Sequence, residues 1–485
     1  MRWCLSVFDR DHRISQSSLL QTPRLAGFFY GLAAHMESNI MKIDEEKLLA
    51  NIDAYKDAIA RKGVPLDLDR LLETREELRR KEREVDGWRR QKNEIAQEMA
   101  QKAAIIDEFE KAHLRQKGAD VGKALGAMEA ALRKLEAEYM ALAAYLPGLP
   151  AEDVPIGATE ADNVELFRHG AMPEFGGFVP RDHVELARMH DMVDFEGARS
   201  AAGSRAYALK GTGALLELAL LRFALDMVVD RGFVPVTPPV MVREEAMFGT
   251  GYFPLGEDNA YKLEKDPLYL TGTAEVALMA MQRDRVFDLE QLPLRMVGIS
   301  TCFRREAGAA GRDTRGLYRV HQFQKVEQVV ICAGDETEQI SLREHYALLQ
   351  NAQDIMQALE IPYRVVAVCT GDMGLGQVRK HDIEAWMPGR GGFGETHSCS
   401  TFHEFQARRL NIKYGVGLTK QMDGKGHKKY QEKYFVRTLN NTALAAPRIL
   451  IPFLENHQAA DGTVRIPPAL RPYLRGKALL EPVFE

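Results

Sequence analysis

From Val121 to Leu146 the apolar positions Val121, Leu125, Met128, Leu132, Leu135, Tyr139, Leu142 and Leu146 follow one another in steps of four and three. That spacing holds one stripe on a single side of an α-helix and predicts a coiled-coil seam. A sparser stripe precedes it, at Leu71, Leu78, Val85, Trp88, Ile95 and Met99, interrupted by Lys81 and Lys92. Two helices of matching length within Asp67 to Leu146, turning between Gln101 and Gly118 and near Asp107 if the arms are equal, make an antiparallel hairpin about 50 Å long at ~1.5 Å per residue. Its outer surface carries Arg75, Arg79, Arg80, Lys81, Arg83, Arg89, Arg90 and Lys92 among Glu73, Glu76, Glu77, Glu82, Glu84 and Asp86. On residue types alone this is a solvated coiled coil laced with intrahelical ion pairs.

The pattern changes at Pro147-Gly148-Leu149-Pro150, followed by Pro155, which marks a domain boundary. Beyond it, the leucine-rich amphipathic stretch Ala214 to Val229 predicts a helix running into a proline-broken strand, Gly232 to Val240. Further apolar strands are expected around Leu268 and Val297, and over Gln322 to Ile331, Tyr363 to Cys369, Gly394 to Ser400 and Phe405 to Ile412. Together they predict an α+β domain on a mainly antiparallel sheet flanked by helices.

At 485 residues, 45% apolar and 27% charged, the chain has room for about three domains and the composition of a soluble globular protein. A net charge of −5 excludes a surface built throughout for polyanions, so any RNA contact must come from local basic patches. The cysteines Cys4, Cys302, Cys332, Cys369 and Cys399 have no paired spacing; neither a disulfide framework nor a zinc site is expected, and a cytoplasmic setting is the simpler inference. No apolar run approaches the roughly 18 residues of a membrane span, so no membrane association is expected. Residues 1–40 form an N-terminal extension without an assigned role. Arg2, Arg10, Arg13 and Arg24 with the apolar patch Leu25 to Ala34 resemble an organelle transit peptide, but Asp9, Asp11 and Glu37 count against it, leaving an extension or an early start assignment as the expectation.

Candidate chemistry concentrates between Cys302 and Glu327. The order strand, glycine-loosened loop, strand, with Arg304, Arg305, Arg312, Arg315 and Arg319 around Glu306 and Asp313, suits a hairpin that grips phosphates. A guanidinium cannot lose its charge and pairs with phosphate oxygens through a planar fork. The chain has no Gly-x-Gly-x-x-Gly or Walker loop, so ATP bound here would lie on a sheet surface and not at a helix N-terminus.

Phe303-Arg304-x-Glu306 with Gly311-Arg312-Asp313-Thr314-Arg315-Gly316-Leu317 resembles motif 2 of the class II aminoacyl-tRNA synthetases in its seryl form. Three further runs resemble that family in the same order: Thr271-Gly272-Thr273-Ala274-Glu275 its Thr-x-Glu serine loop, Glu395-Thr396-His397-Ser398-Cys399-Ser400 running into Phe405 to Arg409 its ATP-covering loop and following strand, and Leu439 to Ala445 through Arg448 to Gln458 its motif 3. The helix and proline-bearing strand at 214–240 resemble motif 1, which in the family forms a homodimer interface. The likeness extends from about residue 41 to the C-terminus. It implies a tRNA-binding domain over 41–150, with the helical hairpin reaching tRNA(Ser), and a class II catalytic domain over 151–485.

The activity implied is a serine-tRNA ligase that uses ATP and Mg2+, with L-serine, tRNA(Ser) and also tRNA(Sec) as substrates. Catalytic roles fall to Arg304, Glu395 and Arg448. ATP would be held by Arg304, Arg305, Glu306, Arg319, Val320, Phe323, Glu395, Thr396, His397, Ser398 and Arg448. In this scheme adenine lies on Phe323 and its edge is read by the backbone of Arg319 and Val320, while Arg448 holds the γ-phosphate and Glu395 and Ser398 bind Mg2+. Serine would be held by Thr273, Ala274, Glu275, Arg304, Glu327 and Thr442. His321 and His381 are read as structural. Arg305, Thr396-His397 and Pro447 depart from the residues common in the family, without removing a charged residue given a role. The alternatives are an altered paralogue acting as an RNA-binding or regulatory protein, which should have lost Arg304, Glu306, Glu395 or Arg448, and a carrier-protein aminoacylating relative, which should lack the helical arm; all four residues and the heptads are present.

Overall fold

The structure, a computed structural model, describes residues 43–102, 105–307, 315–335, 337–422 and 428–483. The N-terminal extension and Gly311 to Thr314 of the arginine hairpin lie outside these residues. The chain divides into two compact units: Pro65–Leu146 makes one, and Met41–Val64 joins Pro147–Glu485 in the other.

In the larger unit the chain begins with helices α1 (Glu45–Ala50) and α2 (Ile52–Arg61). The smaller unit is the expected antiparallel hairpin, α3 (Leu68–Lys102) and α4 (Glu108–Ala143). Asp107, at the middle of the expected turn, is the N-cap of α4, its carboxylate accepting from Glu110 N at 2.8 Å. The seam is thin. Val85, Leu125 and Leu132 are buried, with Leu78, Trp88 and Met128 half-buried against them. Arg70–Glu138 (2.6 Å) and Arg89–Glu129 (2.9 Å) cross between the helices at the surface, while Arg80, Arg83, Arg90 and Lys92 are exposed.

The larger unit is built on one eight-stranded sheet. Its strands, in chain order, are β1 (Val164–His169), β2 (Val234–Val236), β3 (Leu294–Phe303), β4 (Gln322–Cys332), β5 (Tyr363–Ala367), β6 (Arg379–Met387), β7 (Gly392–His403) and β8 (Arg437–Ala445). They lie in the order β1-β5-β6-β7-β8-β4-β3-β2, and every pairing except β2 with β3 is antiparallel.

One face of the sheet packs under α5 (Gly211–Val229), α7 (Gln339–Ala358) and α9 (Ala446–Asn456), where Leu216, Leu220, Leu348, Ile355 and Phe453 meet Val326, Val330, Ile383 and Ala443 of the strands. The opposite face is split. At one end Val329 and Ile331 of β4 pack against Leu278 of α6 (Ala274–Ala280) and Ala407 and Leu410 of α8 (Phe405–Leu410). At the other end the same alternation points Phe323, Lys325 and Glu327 into an open cleft.

The expected strand from Phe405 to Ile412 is a helix for its first six residues. Arg408 N donates to the Glu404 carbonyl at 2.8 Å, and the Arg408 and Glu404 side chains pair one turn apart. The turn ends at Asn411, whose left-handed φ of 54° stops the helix before the chain becomes extended at Lys413. The lysine-rich segment that follows forms a hairpin, Lys413–Met422 pairing antiparallel with Lys428–Phe435, and its tip lies outside the described residues.

Candidate active site

The cleft on the open face has a volume of about 190 Å³, and its lining gathers residues from all four sequence runs: Thr273 and Glu275, then Arg304, Glu306 and Glu327, then Glu395, Thr396 and Ser398, then Thr442 and Arg448. Arg304 and Arg448, 144 residues apart in sequence, face the same hollow. Arg304 stands at the end of β3 with its Cζ 5.3 Å from the centre of the Phe323 ring. Its Nε is buried and has no hydrogen-bond partner. A buried, unsatisfied cationic donor is costly, and an anionic ligand relieves the cost.

Arg448 lies in the first turn of α9, after Pro447. Proline there costs nothing, since its missing N–H would have had no partner in the first turn. The Arg448 guanidinium lies 4.9 Å from the Tyr318 ring centre and 3.3 Å from the Glu395 carboxylate. Burial alone would raise the pKa of Glu395, but Arg448, Lys380 and Arg304 outweigh burial and hold it well below the usual carboxylate range.

Glu395 and Ser398 are three apart on a strand, a spacing that ordinarily sends side chains to opposite faces. A bulge in β7 corrects this. Ile383 pairs with His397 and Glu384 with Glu395, so Thr396 has no opposite number, and both Glu395 and Ser398 line the cleft. A carboxylate that stays ionised beside a hydroxyl is a donor set suited to a hard cation such as Mg2+ shared with phosphate oxygens.

At the other end of the cleft the polar groups are tied into a buried network. Thr273 caps α6, and its Oγ1 accepts from Lys325 Nζ at 2.7 Å. Lys325 Nζ lies 2.5 Å from Glu327 Oε2, to which Thr442 Oγ1 donates at 3.3 Å. Glu275 Oε1 accepts from Gln406 Nε2 at 2.6 Å. Burial first, then the nearby Glu327 carboxylate, pushes the Glu275 pKa up to about 7. Glu306, in the left-handed region at φ 53°, accepts from Arg319 Nη1 at 3.2 Å, and Asn259 holds the bend by accepting from Arg305 N (3.0 Å) and Ala307 N (3.0 Å).

Several expected site residues do not turn their side chains into this cleft. Arg305 is exposed and donates to the Asp258 carbonyl at 3.1 Å. Arg319 is engaged with Glu306. Ala274 is buried in the apolar packing of α6. His397, beyond the bulge, is buried between Thr396 Oγ1 (2.8 Å) and the Ala443 carbonyl (3.1 Å), and burial pushes its pKa down to about 4. His381 pairs with His345 at 2.7 Å away from the cleft, and His321 Nδ1 lies 2.9 Å from the Arg304 carbonyl.

Sequence reasoning gave no role to Lys325, Gln406, Asn440, Gln377 or Tyr252, yet Lys325 and Gln406 hold the serine-loop residues and the other three line the cleft. Lys325 carried a signal, as a charge two residues from Glu327 on an apolar strand.

Residues 43–150 match the seryl-tRNA synthetase N-terminal domain, and residues 261–457 match the class II tRNA synthetase core domain shared by the G, H, P, S and T enzymes. The serine--tRNA ligase of Deinococcus radiodurans is 44% identical over 438 residues, covering 90% of this chain and 99% of that protein. The chain belongs to the seryl-tRNA synthetase family. The crystal structure of the seryl-tRNA synthetase from Pyrococcus horikoshii complexed with ATP superposes with a TM-score of 0.79 at 37% identity, covering 91% of this chain and all of that one. The cytoplasmic serine-tRNA ligase of Naegleria fowleri in complex with AMP gives a TM-score of 0.74 at 25% identity, covering 92% and 99%. The seryl-tRNA synthetase fold therefore spans both the helical hairpin and the cleft.

Proposed function

We propose that the chain is an ATP-dependent serine-tRNA ligase whose chemistry occurs in the cleft between Arg304 and Arg448. The observation that carries this reading is the convergence of those two guanidinium groups in one cleft with a buried polar network beside them. In the first step the serine carboxylate attacks the α-phosphorus of ATP and pyrophosphate leaves. A carboxylate is already a nucleophile at neutral pH, so no general base is needed. The obstacle is bringing two anions together, which fixed cations overcome by neutralising charge on the phosphoryl oxygens.

Arg304, with its free donor, faces the α-phosphate and the serine carboxylate, and Arg448 the γ-phosphate. Glu395 and Ser398 would hold Mg2+, which supplies charge neutralisation across the phosphates. Phe323 offers a face to adenine, with the Val320 and Arg319 backbone at its edge. Thr273, Glu275, Glu327 and Thr442 receive the ammonium and hydroxyl of serine, with Lys325 paired to Glu327. A buried site that hydrogen-bonds a hydroxyl rejects alanine strongly, because its own polar groups are then left unpaired. In the second step the terminal ribose 3′-hydroxyl of tRNA attacks the acyl carbonyl and AMP departs.

The exposed basic residues of the hairpin suit tRNA(Ser) recognised through its backbone and shape, and tRNA(Sec) belongs to the same substrate class. The half-exposed Leu215 and Leu218 of α5 and Val234 of the edge strand β2 suit a homodimer interface. Among the described residues no helix is long and apolar enough to cross a membrane. ATP–pyrophosphate exchange measured with each amino acid in turn tests the reading. Serine should support exchange and alanine and glycine should not; exchange dependent on another amino acid, or on none, overturns it.

A further inference from the structure

The chain leaves for the helical hairpin and returns from it through a single loop of the catalytic unit. Lys62, at the end of α2, is only 9% exposed. Its Nζ donates to the carbonyls of Gly374 (3.3 Å), Leu375 (3.1 Å) and Gln377 (2.6 Å). Burial pulls the Lys62 pKa down to about 7, and the three carbonyls match the three donors of its ammonium form. On the return, Gly148 N donates to the same Leu375 carbonyl at 2.9 Å and Ala151 N to that of Val378 at 2.9 Å. The approach is close enough that a Cβ on Gly148 would stand 2.6 Å from the Gly376 carbonyl oxygen.

The far side of this loop is the cleft wall. Gln377 Oε1 accepts from Gly374 N at 2.6 Å, and its Nε2 donates to Ser400 Oγ at 2.7 Å. Gln377 and Ser400 both line the cleft, Ser400 two residues beyond Ser398 on the same face of β7. An apolar side chain could fill the space around the Lys62 stem without the cost of burying an ammonium. What only the ammonium supplies is a fixed geometry for three carbonyls of the 374–377 loop.

We propose that Lys62 is a positioning residue for amino-acid activation: by gripping the 374–377 loop at the root of the helical hairpin, it fixes Gln377 against Ser400 and so sets the cleft wall beside the ATP site. The proposal rests on the serine-tRNA ligase reading. Its test uses the full chain with Lys62→Met, Gln377→Ala and the double variant, measuring serine-dependent exchange and the hydrogen-exchange protection of the Gly148 and Ala151 amides.

Lys62→Met should raise the KM for ATP about tenfold while kcat changes less than about threefold, and should lower protection at both amides. The double variant should be no worse than the worse single one, because both substitutions break one linkage. An unchanged KM in Lys62→Met, or effects that multiply in the double variant, overturn the proposal. If Lys62→Met does not fold, Gln377→Ala decides alone, and a wild-type KM in it overturns the proposal. If the unmodified chain shows no serine-dependent exchange, the functional reading fails, and amide protection unchanged by Lys62→Met then refutes the grip separately.

Discussion

The helical hairpin and the catalytic cleft solve opposite problems with the same residue types. Along α3 and α4 most charges lie in water, Arg75 being buried against the expectation of an outer-surface position, and they pair across one turn or between helices, so each exposed ion pair contributes little and the apolar seam of Val85, Leu125 and Leu132 sets stability. In the cleft, Lys325 and Glu327 are taken out of water, Arg304 and Glu275 are partly so with the Arg304 Nε buried, and each is costly unless a partner or ligand answers it. The difference shows where function is stored. An exposed basic surface can meet a long polyanion with loose geometry, whereas buried, opposed charges can orient two small anions and do little else.

The largest expected effect tests the cleft side. Arg304→Ala should lower serine-dependent exchange by about 10³-fold, equivalent to about 4 kcal/mol, with the melting temperature nearly unchanged. Near-normal exchange would show that the phosphate assignment is wrong. On the hairpin side, Leu125→Ala should cost about 2–3 kcal/mol of local stability, read as lost amide protection along α3 and α4. It should lower tRNA charging and leave exchange intact.

A smaller effect comes from Glu275. Its raised pKa makes it a neutral acid below about 7 and a carboxylate above, and an anionic site binds the serine ammonium better. The KM for serine in exchange should therefore fall as pH rises through that value and climb on the acid side, and the slope should vanish in Glu275→Gln. The smallest effect belongs to the hairpin surface. Arg89→Ala, breaking the pair with Glu129, should change stability by less than about 1 kcal/mol. A larger loss would mean that surface ion pairs, and not the seam, hold the hairpin.

The same contrast explains what could be read from the sequence. The hairpin was legible because one period runs unbroken from Val121 to the end of α4 and the turn needed only equal arms to be placed near Asp107. Lys325 left a signal too, since residues two apart on a strand share a face and it stands two before Glu327, but no role was drawn from it. The common orientation of Glu395 and Ser398 was not, because it depends on a bulge at Thr396 that spacing alone does not announce. Phe405 to Leu410 misled because the family resemblance implies a strand after the ATP-covering loop, while the helix depends on Glu404, Arg408 and a left-handed Asn411. The Lys62 grip joins residues 312 and more apart, which no local pattern encodes.

The central claim is a division of labour between a cleft that activates serine and a hairpin that selects the nucleic acid. Deleting Glu73 to Leu142 and measuring exchange and tRNA(Ser) charging on the same preparation tests it most directly. Serine-dependent exchange should persist near the level of the full chain while charging falls to background. Loss of both activities in a folded protein, or charging that survives the deletion, would contradict it.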